Sequence, residues 1–160
     1  MDPNICWPLA HNMIRRNSES NTFGMVRHRA DGSVKPHQGW DFAAAIGTPC
    51  RAIADGTIAD IRHDGDYGHR IVLGFTFQGR HLFAAYCHLS RIDVAEGQAV
   101  HRGQVIGLTG DSGNAKDMKG PDLHLHFEIR TIVQPGLGLD GRLTPRTVFD
   151  TVPLEAAIDG

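Results

Sequence analysis

No stretch of this chain runs far before a glycine or a proline interrupts it, and the segments between are short and rich in Val, Ile, Phe, Leu and Thr. Such residues suit pleated, half-buried strands, while Gly and Pro supply the turns. No apolar stripe of 3.6-residue period persists long enough for a substantial helix. The spacing predicts strands over residues 23–27, 39–44, 50–54, 57–63, 70–77, 81–89, 104–110 and 124–131. Turns are expected at Asp55-Gly56, Asp64-Gly65, Gln78-Gly79 and Glu96-Gly97, with Gln78-Gly79 closing a hairpin. One short helix is expected after Pro145, through Val148 and Phe149. The expected fold class is mainly β, a single domain of antiparallel sheets with few short helices.

A chain of 160 residues can enclose one real core, and no repeat, low-complexity tract or linker divides it. The expected organisation is an N-terminal extension over residues 1–20, one main domain over 21–150 and a tail over 151–160. A formal net charge of -2 with interspersed signs offers no polycationic face, so nucleic acid is not an expected partner. No window has the apolar length of a membrane span, and the first residues carry Asp2 and lack the apolar core of a secretory signal. Three cysteines cannot all pair within one chain. Cys50 and Cys87 read as small buried apolar residues, whereas Cys6 could form a bridge outside the cytosol with a partner that the sequence does not identify.

Histidine is the compositional oddity, with ten in the chain. A lone strand histidine is more often structural than a ligand, which is the default for His11, His28, His63, His69, His81 and His101. Two local patterns weaken that default elsewhere. In His37-Gln38-Gly39-Trp40-Asp41, even spacing in an extended chain sends the first and last side chains to one face. In His124-Leu125-His126 the imidazoles share one face of a strand, about 6.5–7 Å apart at the backbone, and Leu125 and Phe127 turn to the core. That separation suits one histidine as ligand and its neighbour as a supporting or catalytic group. A catalytic zinc takes three N or O ligands and leaves a fourth position for water, a specification that His37, Asp41 and His126 meet. A further histidine could take the water's proton or stabilise charge on a scissile carbonyl, and His88 and His124 are the candidates.

These segments resemble a known family. Pro36-His37-Gln38-Gly39-Trp40-Asp41-Phe42 resembles the HxGxD motif of lysostaphin/LytM-type peptidases, Tyr86-Cys87-His88-Leu89-Ser90 their YxHL segment, and Leu123-His124-Leu125-His126-Phe127-Glu128-Ile129 their HLHFE strand. The three occur in the family's order, with further landmarks at Gly47-Thr48-Pro49, Ala54-Asp55-Gly56, Gly103-Gln104-Val105-Ile106-Gly107 and the opening Phe23-Gly24 followed by Arg27, so that the similarity covers residues 21–149. The resemblance implies a small antiparallel β fold with an active-site groove. One Zn2+ ion would sit on His37, Asp41 and His126, with His88 and His124 as the general-base and transition-state-stabilising pair. It implies a zinc endopeptidase with peptidoglycan peptide cross-links as substrate, acting in the periplasm or cell wall, as a monomer. Gly120-Pro121 is followed here by Asp122-Leu123, so the loop over 112–122 is longer than the family's and should border the groove. Without a visible signal peptide, wall-binding domain or inhibitory pro-segment, the expectation is either an excised domain or a chain that reaches the wall without an N-terminal signal, as an antibacterial effector of a contact-dependent secretion system with a cognate immunity protein.

Rival readings come from other classes. Gly110-Asp111-Ser112-Gly113 resembles the nucleophile loop of chymotrypsin-like proteases, but the chain is too short for that double barrel and the reading leaves HxGxD and HLH unexplained. An ordinary turn is the expectation there. A non-catalytic wall-binding or regulatory module on the same scaffold is the second rival. A small-molecule zinc hydrolase is the third.

Overall fold

The computed structural model describes residues 1–154; of the expected tail over 151–160, residues 155–160 lie outside the described residues. Among the described residues eleven strands form: β1 (Gly24–His28), β2 (Val34–His37), β3 (Trp40–Ala43), β4 (Pro49–Arg51), β5 (Gly56–Arg62), β6 (His69–Phe77), β7 (Arg80–Ile92), β8 (Ala99–Val100), β9 (Val105–Thr109), β10 (His124–Arg130) and β11 (Arg142–Leu143). β1 and β2 make an antiparallel ribbon, and the other nine strands form one sheet in which β10, β7, β6 and β5 lie side by side. Every pairing is antiparallel. The eight expected strands are present with shifted ends, most of all β7, which runs on to Ile92.

Three strands escaped the sequence reading. β8 and β11 have two residues each, too few for alternation to register, and β2 contains Pro36, which cannot donate to a ladder and is confined to edges. The expected helix after Pro145 is a single 3-10 turn, Pro145–Thr147, ahead of the buried Val148 and Phe149. At the β6–β7 hairpin Gln78 and Gly79 both take positive φ, 48° and 78°, the tight turn whose twist matches that of the strands.

Alternation along β3, β10 and β7 divides the molecule. Trp40 and Phe42, Leu125, Phe127 and Ile129, and Ala84 and Tyr86 are essentially buried in one core. Phe127 packs edge-on to Phe42 and Tyr86 at 5.9 and 5.3 Å between ring centroids and lies 5.8 Å from Phe149. The intervening residues, Asp41, His124, His126 and Glu128, face the other way. The N-terminal segment closes the outer edge of β3. Ile5, Leu9 and Ile14 are buried in the core, Ile14 forms a bridge with Phe42, and the Ala43 N–H donates to the Met13 carbonyl at 2.8 Å. Among the described residues no helix is long and apolar enough to cross a membrane.

The expectation that His37 and Asp41 share a face of one extended strand needs correction. β2 ends at His37, the chain bends through Gln38 and Gly39, and Asp41 belongs to a different sheet. Gly39 permits that bend against β10: a Cβ there would fall 2.1 Å from the Phe127 carbonyl oxygen and 2.9 Å from the Glu128 side chain. The obstacle is strand backbone, which cannot rotate aside. Gly39→Ala is therefore expected to destabilise the fold by at least about 1–3 kcal/mol, measured by denaturant titration.

Candidate metal centre

Strand register brings the centre together. His126 lies opposite Asp41 in the β3–β10 pairing and opposite Cys87 on β7, while His37 approaches from the end of β2. Asp41 Oδ1 lies 3.2 Å from His37 Nε2 and 2.8 Å from His126 Nδ1, and the three donor atoms lie within 4.8 Å of one another. Ligands at about 2.0–2.2 Å from a tetrahedral ion stand about 3.4 Å apart, so the set fits a zinc-sized cation with small adjustments.

The second partner of each ligand decides which atom is offered inward. His37 Nδ1 donates to the Thr22 carbonyl at 2.7 Å, which leaves the Nε2 lone pair toward Asp41. His126 Nε2 donates to Glu128 Oε2 at 2.7 Å, which leaves Nδ1 inward. Asp41 Oδ2 accepts from Arg27 Nη2 at 3.0 Å with Arg15 Nη1 at 3.6 Å, so Oδ1 is the oxygen turned toward the two histidines. Glu128 is saturated as well: Oε2 also accepts from the Tyr67 hydroxyl at 2.5 Å, and Oε1 from Arg130 Nε at 2.8 Å and Arg142 Nε at 2.6 Å. Tyr67 stacks on the His126 ring at 4.9 Å, and Gln38, which accepts from the Gly138 N–H, donates to its hydroxyl.

Charge follows from these contacts. Burial alone would depress the His126 pKa, but its hydrogen bonds to Asp41 and Glu128 and the charge of both carboxylates outweigh it and raise it to about 9. The same contacts overcome burial at Asp41 and Glu128 and hold both carboxyls well below the usual range. The atoms that hold a proton between Asp41 and His126 are those a divalent cation would claim, and the two compete. Burial pushes the His37 imidazole down, opposed by Asp41.

His88 and His124 stand beside this set. Regular alternation along β7 would turn His88 to the core with Tyr86, yet its backbone is left-handed, φ 62°, and Leu89 returns to the core instead. The reversal sets the His88 ring 5.1 Å from that of His124 and 6.1 Å from that of His126. His88 Nδ1 donates to the Ser112 carbonyl at 2.8 Å. His124 Nδ1 lies 2.8 Å from the Asp122 carbonyl, which places its proton there and leaves Nε2 3.7 Å from Asp41 Oδ1. Burial, then the neighbouring His126 and His124, lower the His88 pKa to about 4, and burial lowers that of His124 against the pull of Asp41. All five residues line an open groove of about 480 Å³, bordered by Tyr67 and, from the loop over 112–122, by Asn114 and Met118.

Ser112, the decoy nucleophile, is engaged elsewhere: its hydroxyl donates to the Leu89 carbonyl at 2.7 Å and accepts from the His69 N–H at 3.1 Å. His11, His28, His63, His69, His81 and His101 do not line the groove. Cys50 and Cys87 are buried free thiols, and Cys6 is free with its thiol on the Ala52 carbonyl.

Residues 35–137 match the model of peptidase family M23. This chain belongs to that family. The M23 match takes in every candidate ligand and both flanking histidines. The chain is 40% identical over 102 residues to the peptidoglycan DD-endopeptidase ShyA of Vibrio cholerae, an alignment covering 64% of this chain and 22% of that protein. It spans about a quarter or less of the length of the first curated relatives it matches. A zinc containing peptidase from Vibrio cholerae superposes with a TM-score of 0.60 at 31% identity, covering 78% of this chain and 37% of that one. The catalytic domain of the antimicrobial peptidase lysostaphin from Staphylococcus simulans gives 0.63 at 27% identity, covering 81% and 90%. The mainly antiparallel β architecture is that of the lysostaphin/LytM-like M23 fold.

Glu128, Tyr67 and Arg15 were not singled out in advance. Glu128 lies two residues beyond His126 on the same strand face, and that alternation could have identified it. Tyr67 and Arg15 arrive from segments without local pattern. Glu128→Gln should weaken zinc binding by about 10- to 100-fold in a chelator competition, since the neutral amide no longer holds the His126 N–H as strongly. It should also lower the melting temperature, because Arg130 and Arg142 lose their shared anion.

Proposed function

We propose that this chain is a zinc-dependent endopeptidase that hydrolyses peptide cross-links of bacterial peptidoglycan, in the periplasm or the cell wall. One observation carries the reading: in an M23 chain, three buried donor atoms, each oriented by its own second partner, converge at the wall of an open groove. His37 Nε2, Asp41 Oδ1 and His126 Nδ1 would hold the ion. When bound, zinc supplies Lewis acidity toward a carbonyl and brings the pKa of water from 15.7 to about 7.

The remaining chemistry belongs to the chain. Burial keeps His88 and His124 neutral, and their Nδ1 protons are committed to backbone carbonyls, so each presents an Nε2 lone pair to the groove. His124, nearer Asp41, is suited to accept the proton of the attacking water. The imidazolium so formed, or His88 after sharing its proton, stabilises the developing oxyanion by a hydrogen bond and then transfers that one proton to the departing amine. The pair retains one proton between attack and bond cleavage.

The roles separate experimentally. His37→Ala or Asp41→Ala should lose zinc and activity together. His88→Ala or His124→Ala should retain zinc, by metal analysis, and lose about 100- to 10,000-fold in turnover. Mass spectrometry of fragments released from defined peptidoglycan provides the assay and identifies the bond. Activity that resists a chelator but yields to a serine-directed reagent would reject the reading.

A further inference from the structure

Positive charge at the centre exceeds what its own carboxylates need. Four guanidinium groups, those of Arg15, Arg27, Arg130 and Arg142, surround two carboxylates, Asp41 and Glu128. Three of the four each make at least two hydrogen bonds to oxygen acceptors of the chain. Arg130 and Arg142 bind Glu128 and backbone carbonyls. Arg27 binds Asp41, Asn21 and the Ser20 carbonyl.

Arg15 does not. Its side chain is 14% exposed, and its Nε is buried without a hydrogen-bond partner. Its Nη1 faces His124 Nδ1 at 3.2 Å, but that nitrogen's proton goes to the Asp122 carbonyl, which sets donor against donor. What remains for Nη1 is the weak sulfur acceptor of Met118 at 3.6 Å and Asp41 Oδ2, also at 3.6 Å and already taken by Arg27. A guanidinium cannot shed its proton, and a buried charge without an adequate partner is costly. Yet this one is firmly placed: the preceding Ile14 is bridged to Phe42, and Asn21 binds the Arg15 carbonyl. Arg15 lines the groove, as do Arg70 and the exposed Lys35, while Asp66 is the only lining carboxylate besides Asp41 among the described residues. It also lies outside the stretch that matches the family.

Building on the proposed activity, we infer that Arg15 receives a free carboxylate of the substrate, so that the groove selects anionic peptides, with a carboxylate close to the cleaved bond, over uncharged bridges. A carboxylate is the planar acceptor that a guanidinium fork matches, and it would relieve the excess charge left by the surrounding arginines.

The test compares kcat/KM of the zinc-loaded protein on four cross-linked fragments. One has a D-alanyl–diaminopimelate link with its free carboxylate, the second has that carboxylate amidated, the third has the terminal carboxylate amidated instead, and the fourth has a pentaglycine link. Loss of a charged hydrogen-bond partner predicts that one amidation lowers kcat/KM by about 10- to 100-fold. Which amidation does so identifies the side-chain or the terminal carboxylate as the partner. In Arg15→Gln, compared with the parent at matched zinc loading, the free-to-amidated ratio should fall toward unity. Arg15→Lys, which retains charge but not the fork, should give an intermediate ratio and serves if the glutamine variant melts early. Equal cleavage of free and amidated fragments, preference for pentaglycine, or an undiminished ratio in the Arg15 variants would overturn the inference and leave the proposed activity standing. Failure to cleave any fragment would overturn both.

Discussion

The pairing of β3 with β10 is the constraint on which the centre depends. It sets Asp41 opposite His126 and, one residue along, Phe42 opposite Leu125, so one ladder places a carboxylate against an imidazole on one face and apolar side chains on the other. A slip of one residue would exchange the faces and bury the polar set in the core. Aromatic packing of Phe42, Phe127 and Phe149 therefore guards the geometry of the candidate centre without touching it. The N-terminal bridge at Ile14 and the contact of Gly39 with Phe127 hold the two edges of β3 in place.

Electrostatics builds outward from that pairing. Each candidate ligand makes a directed contact on its far side, His37 to a carbonyl, His126 to Glu128 and Asp41 to arginine, so the three donor atoms are turned inward before any cation arrives. Glu128 is a buried carboxylate whose own partners are two arginines and a tyrosine, so its hold on His126 is backed by elements far apart in the chain. Such preorganisation removes a reorganisation cost that flexible ligands would carry.

Much of this was legible in the residues, for identifiable reasons. His124-Leu125-His126 alternates, and alternation is the strand property that a linear sequence displays most directly. Long strands such as β6 and β7 announce themselves in the same way. The ribbon strand β2 does not, because Pro36 masks it. His37 and Asp41 were paired by assuming continuous extension, whereas a bend at a glycine unites them across two sheets. His88 was recognisable within its motif, but the backbone reversal that delivers it has no signature in residue type. Arg15 and Tyr67 could not be anticipated, since their relation to the centre exists only after distant segments pack.

That reversal at His88 carries a lesson about selection. An L-residue held in the left-handed region costs about 1–2 kcal/mol, and a strand interior is an unusual place to accept it. Glycine would relax the backbone at that position, and asparagine would tolerate it better than histidine does. A protein optimised only to resist heat would drift toward one of these and surrender an imidazole from its groove. The strain at this reversal thus marks a position where durability and the proposed proton chemistry pull the sequence in opposite directions.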